Sequence, residues 1–140
     1  MSETTTTNPE FAAFAASQDT LRVFRDGQLI FASRKDRVAP LVEFIDRFGA
    51  TSAGVVVFDK IAGNAAALLA ARAGAAEVHS PLGSELAVKT FARFGIKHHL
   101  VRTVPYIERA DGQGMCPMEK LSIGKEPDEF YRLVRESMTK

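Results

Sequence analysis

The chain has 140 residues, 46% of them hydrophobic and 25% charged, with a net charge of +1. A single domain of this size buries enough surface to fold without a disulfide or metal staple. The near-neutral charge gives no argument for nucleic acid or a membrane surface as partner, though a local basic patch stays open, and a lone cysteine excludes an internal disulfide, in keeping with a reducing cytoplasm.

Residues 1–8 read as a polar, Thr-rich disordered tail, and residues 9–140 as one domain. The first ten residues lack the apolar core of a signal peptide. The apolar run at 65–71 is too short to span a bilayer. Asn8-Pro9-Glu10 is a helix start, with Asn8 as cap and Pro9 at the first helical position; Phe11 and Phe14 face the core. Two β-prone runs, 21–24 and 28–32, flank Asp26-Gly27, a hairpin turn. Leu21 and Val23 share one strand face, as do Leu29 and Phe31.

Pro40 opens a helix with Leu41, Phe44, Ile45 and Phe48 on its buried face. Residues 55–58 are apolar on both faces, as a central strand covered by helices requires. An alanine-rich helix then runs to Gly74. Its alanines either leave room for a ligand or permit close packing, and close packing is the preferred reading. A strand at 76–79, a helix from Pro81 to Phe94 and a strand from His98 follow. This alternation predicts an α/β fold with right-handed crossovers, its mixed sheet edged by the hairpin. Residues 104–124, rich in glycine and proline, break the pattern, as functional segments often do. A last helix starts at 126–129 and buries Phe130, Leu133 and Val134.

Two places carry candidate chemistry. Asp59 and Lys60 stand where a strand ends and a helix begins, the usual ligand position of open α/β sheets. Lys60, with helix N–H groups near Gly63 and Asn64, could hold an anion; alternatively Asp59 caps the helix and Lys60 is solvated. The second place is Gly112-Gln113-Gly114-Met115-Cys116-Pro117-Met118-Glu119. A cysteine ahead of a proline-started turn meets unpaired N–H groups that favour its thiolate. Glu119 could act as acid or base. The alternative is Cys116 as a small hydrophobe between two methionines.

His98 and His99 are neighbours in a strand and face opposite ways. His79, ahead of Ser80-Pro81, reads as a surface or capping residue. No metal motif is present, so no metal site and no cofactor are expected. Arg22, Arg25, Arg34, Lys35 and Arg37 read as a solvated edge that discourages strand pairing, rather than an RNA site.

Asp59-Lys60-x-x-Gly63-x-Ala65-Ala66-Ala67, Val104-Pro105-Tyr106-Ile107 and Met115-Cys116-Pro117-Met118-Glu119 together resemble a small prokaryotic family, a domain of unknown function. Its structural representative has a cytidine-deaminase-like fold without the zinc site. The resemblance spans residues 21–120 and implies a three-layer α/β/α sandwich with a mixed sheet. Zinc deaminases carry H-x-E at one helix start and P-C-x-x-C at the next. By chain order the starts at 59–63 and 80–84 would hold those motifs, and neither does. The chain departs from the family pattern at Asn64, where lysine is common, and at Glu108-Arg109, where an Asn-Arg pair is.

The expectation is therefore a cytoplasmic, zinc-free deaminase-like domain with a pocket for a small anionic or nucleotide-like ligand. As an enzyme it would use Cys116 as nucleophile or group carrier, Lys60 as electrostatic clamp, and Asp59 or Glu119 to handle protons. Gly63, Asn64, Gly114 and Met115 would line the ligand. The rival expectation is a non-catalytic binding module or a homodimeric assembly module.

Overall fold

The structure is a computed structural model and describes residues 8–138; of the tail expected at 1–8, residues 1–7 lie outside the described residues, and Asn8 is ordered as a helix cap. Helix α1 (Pro9–Ala16) begins as its sequence dictates. The Asn8 side chain accepts from the N–H groups of Glu10 and Phe11 at 2.8 and 3.2 Å. Strands β1 (Leu21–Arg25) and β2 (Gln28–Ser33) form a hairpin whose turn residues Asp26 and Gly27 have φ of 51° and 80°. Those positive angles are what Asp-Gly supplies at low cost. A bulge after Val23 shifts the register. Phe31 stays buried while Leu29 turns out to solvent, so the two do not share a buried face.

Helix α2 (Ala39–Phe48) buries Leu41, Phe44 and Ile45. Strand β3 (Val56–Asp59) is followed by the two-residue strand β4 (Ile61–Ala62) and helix α3 (Asn64–Ala73). Then come β5 (Glu77–Ser84), α4 (Glu85–Arg93), β6 (Lys97–Val104), α5 (Pro117–Ser122) and α6 (Pro127–Met138).

The sheet is mixed. β1 runs antiparallel to both β2 and β3. β3 and β4 lie along one edge of β5, parallel to it, with Val57 opposite Val78 and Ile61 opposite Leu82. β6 runs parallel along the other edge, pairing from Glu77–Lys97 to Ser84–Val104. Pro81, which the sequence reading makes the start of a helix, lies inside β5. The Ser80 hydroxyl bridges the proline locally, accepting from the Leu82 N–H and donating to the Leu82 carbonyl. Helix α4 starts four residues later, capped by Ser84, whose Oγ accepts from the Ala87 N–H at 3.1 Å.

Two cores hold the layers. On one face Leu21, Val23, Val57 and Val78 meet Leu41, Phe44, Leu68, Leu69, Phe91 and Phe130 from the helices. Helix α3 packs against α2, α4, α5 and α6. Its alanines make it slim enough to sit buried among these elements, so the close-packing reading holds. On the other face α1 sets Phe14 against Phe24 and Phe58, with Phe11 edge-on to Phe58 at 5.4 Å. Each such aromatic contributes roughly 1.5–3 kcal/mol by leaving water. The result is an α/β sandwich. Among the described residues no helix is long and apolar enough to cross a membrane.

Candidate functional site

Side chains alternate across β3, so Val57 and Asp59 share the α3 face while Phe58 and Lys60 point to the α1 face. The Lys60 ammonium donates to the Ser17 carbonyl at 2.5 Å and lies 5.0 Å from the Phe14 ring centroid. It clamps the end of α1 to the sheet. Asp59 is buried, and its Oδ1 accepts from the Ile61 N–H at 3.3 Å. Burial pushes its pKa up to about 7, opposed by hydrogen bonds from the Ile61 and Lys60 N–H groups. The adjacent side chains of Asp59 and Lys60 thus sit on opposite sides of the sheet.

The segment carrying Cys116 folds back onto the α3 N-terminus, and it does so through Glu119. A small loop closes first. The Arg109 N–H bonds the Gly114 carbonyl at 2.8 Å, Glu108 pairs with Met115, and the Cys116 N–H bonds the Ile107 carbonyl at 2.8 Å. Gly114 takes φ of 115°, which glycine tolerates and other residues rarely do. Pro117 then starts α5, as its residue type suggests. One turn on, Glu119 is 2% exposed. Its Oε1 accepts from the Asn64 N–H at 2.6 Å and its Oε2 from the Ile107 N–H at 3.0 Å. The anion at this helix start is the protein's own carboxylate.

Gly63 permits the approach. A Cβ there would meet Glu119 Oε1 at 2.6 Å and Ile107 Cγ1 at 2.8 Å. Asn64 completes a buried polar knot. Its Nδ2 donates to Ser122 Oγ at 3.0 Å, its Oδ1 accepts from the Thr90 hydroxyl, and Ser122 donates to the Glu119 carbonyl at 2.6 Å. Gly63, Asn64 and Glu119 therefore come together, while Lys60 and Asp59 bond elsewhere. Cys116 is half-buried at the head of α5.

Outside α5 lies a shallow groove of about 450 Å³, lined by Arg109, Met115, Pro117, Lys120, Leu121 and Lys125. Arg109 pairs with Asp111 at 3.0 Å. Among the described residues neither Lys120 nor Lys125 has an ion-pair partner. The groove thus joins unpaired positive charge to an apolar floor. Of the expected ligand residues it contains Met115. Sequence reasoning missed the lysines because their spacing matters only once α5 turns.

Sequence reasoning also missed a cross-strand cluster on the α1 face. The parallel register sets His79 opposite His99, and their rings stack at 4.6 Å. Glu77 Oε2 lies 2.9 Å from His79 Nε2 and 3.3 Å from His99 Nε2. Burial holds the His79 pKa below its usual value, although Glu77 pulls it upward. His98 does face the other way, stacked on Phe91 at 5.2 Å. The missing signal was the pairing of the two strands, which would have aligned Glu77-x-His79 with His99.

Residues 12–138 match the family model described as TM1506, a domain of unknown function (DUF1893). The chain belongs to that family. Among solved structures it is similar to the DUF1893 family protein TM1506 from Thermotoga maritima, with a TM-score of 0.83 and 26% identity, covering 98% of this chain and 92% of that one. No curated protein matches the chain.

Proposed function

We propose that this DUF1893 chain is a cytoplasmic, cytidine-deaminase-like binding domain that takes a small anionic ligand in the groove outside α5, without zinc-deaminase chemistry. The observation that carries the reading is the groove itself. Lys120 and Lys125, without ion pairs among the described residues, and Arg109 stand around Met115, Pro117 and Leu121. Such a lining suits a phosphate or carboxylate attached to an apolar or planar body.

The deaminase likeness is supported by the placement of α3 and α4. Each follows a parallel strand, and they pack side by side. Zinc deaminases project H-x-E and P-C-x-x-C from two such helix starts. Here those starts carry Gly63-Asn64 and Ser84-Glu85, engaged by Glu119 and by the Ser84 cap. The reading is one of binding. Both Glu119 oxygens accept backbone bonds, and Lys60 is held at α1, so neither is on hand for Cys116.

Native mass spectrometry of protein purified without added ligand tests it. The expected result is an anionic small-molecule adduct, lost in a Lys120→Glu/Lys125→Glu double variant. An adduct retained by that variant, or none in the wild type, counts against the groove.

A second reading, homodimeric assembly, is favoured by the outer edge of β6, where Val101 is 75% exposed. Light scattering across a dilution series tests it: a mass of twice the chain supports it, and a constant monomer mass removes it.

A further inference from the structure

We propose that Glu77, His79 and His99 form a binding site for one divalent transition-metal ion of the zinc type, bridging β5 and β6 on the α1 face of the sheet. The site is independent of the groove reading, because the groove lies outside α5, which packs against α3 on the other face.

Strand register brings the three residues together. Glu77 and His79 are two apart on β5 and so share a face. His99 is the direct partner of His79 on β6. Three donors are thereby brought together by backbone geometry rather than by a flexible loop. One ligating atom from each lies within 4.8 Å of the others.

Two of the three separations fit a metal directly. Zinc bonds to imidazole nitrogen and carboxylate oxygen are about 2.0–2.1 Å, which places neighbouring donors of a tetrahedron about 3.3 Å apart. Glu77 Oε2 is 2.9 Å from one Nε2 and 3.3 Å from the other. Both Nε2 atoms therefore lie near one carboxylate oxygen, and the His79 ring is hydrogen-bonded to it. An ion seated among the three atoms would replace these two contacts with bonds to itself.

The surroundings suit a three-ligand centre. Phe11 and Phe58 flank the His79 ring, at 5.9 and 5.2 Å between centroids, and shield one side from water. The His99 side chain is 41% exposed, which leaves the other side open to solvent for entry and for a bound water. Two imidazoles and a carboxylate without thiolate favour zinc, cobalt, nickel or copper over calcium or magnesium. The site is unrelated to the deaminase helix starts, since its ligands come from two strands.

Calorimetric titration of the full chain with zinc chloride tests the proposal, with cobalt(II) as a visible-absorption probe of the same site. The expected stoichiometry is one ion per chain. His99→Ala and Glu77→Gln each weaken binding by at least the cost of losing an outer-shell partner, about 10–100-fold, and diminish the cobalt bands at equal metal concentration. His98→Ala, on the opposite face, leaves binding within about threefold of wild type. His99 and Glu77 are partly solvent-exposed, so these variants keep the fold, which circular dichroism verifies. Absence of saturable one-to-one binding overturns the proposal. So does binding by either variant within tenfold of wild type.

Discussion

Glu119 holds the start of α3 by accepting the Asn64 N–H at 2.6 Å, with its second oxygen tied to the Ile107 N–H at 3.0 Å. A helix start that would otherwise suit an external anion is closed by an internal one. Glu119→Ala leaves two N–H groups without an acceptor, one of them buried. The expected loss is about 2–4 kcal/mol in urea denaturation, since an unsatisfied buried donor costs about 1–3 kcal/mol. A loss under about 0.5 kcal/mol would mean that water replaces the carboxylate at no cost.

Gly63→Ala reaches the same contact from the other side. The backbone there is extended, with φ of −82°, so alanine brings no backbone strain. The new methyl would displace a carboxylate pinned by two N–H groups. The expected cost is roughly 1–3 kcal/mol. Removing the carboxylate first should remove most of that cost, so the two substitutions couple in a double-mutant cycle. Additive effects would show that Ile107, not Glu119, sets the limit.

Asp59 makes a pH prediction. Its folded pKa is about 7, raised by burial above the ordinary value of 3.8. Between those values the folded state holds a proton that the unfolded state has released. Stability therefore falls as pH rises from about 4 to about 7 and stays low above that. Asp59→Asn removes the titration, so the variant's advantage over wild type should grow with pH to at most roughly 4 kcal/mol. Denaturant midpoints of both proteins at pH 5 and pH 8 check the sign. A difference independent of pH would place the Asp59 carboxylate in water.

Lys60 is predicted to be a clamp for α1. Lys60→Met removes its bond to the Ser17 carbonyl and its contact with the Phe14 ring. The expected cost is about 1–2 kcal/mol, read as faster amide exchange across Pro9–Ala16 with little change in α3. Unchanged exchange in α1 would contradict the clamp.

Much of the fold was legible in the residues. Asn8-Pro9, Asp26-Gly27 and Pro117 marked starts and turns because their local chemistry decides the backbone, and the four apolar residues at 55–58 announced a strand covered on both faces. Pro81 misled because a proline that favours a helix start is also tolerated in a strand when Ser80 supplies local hydrogen bonds. Gly63, Asn64 and Glu119 were each readable as site residues. That Glu119 would meet Asn64, 55 positions away, depended on how the 104–124 segment folded, which local pattern does not encode. The opposition of Asp59 and Lys60 followed from strand alternation, but only after β3 was seen to extend to Asp59. The His79–His99 pair required the β5–β6 register, a property of two segments at once.

On the proposed function, external anions enter the open groove outside α5 and leave alone the α3 start, which Glu119 closes. Amide NMR of the isotopically labelled chain, titrated with a small aromatic phosphate, reads both at once. The predicted result is saturable shifts at Met115, Lys120, Leu121 and Lys125, with the Asn64 amide unmoved. Shifts centred on Gly63 and Asn64 would mean that external anions displace Glu119, and would contradict it.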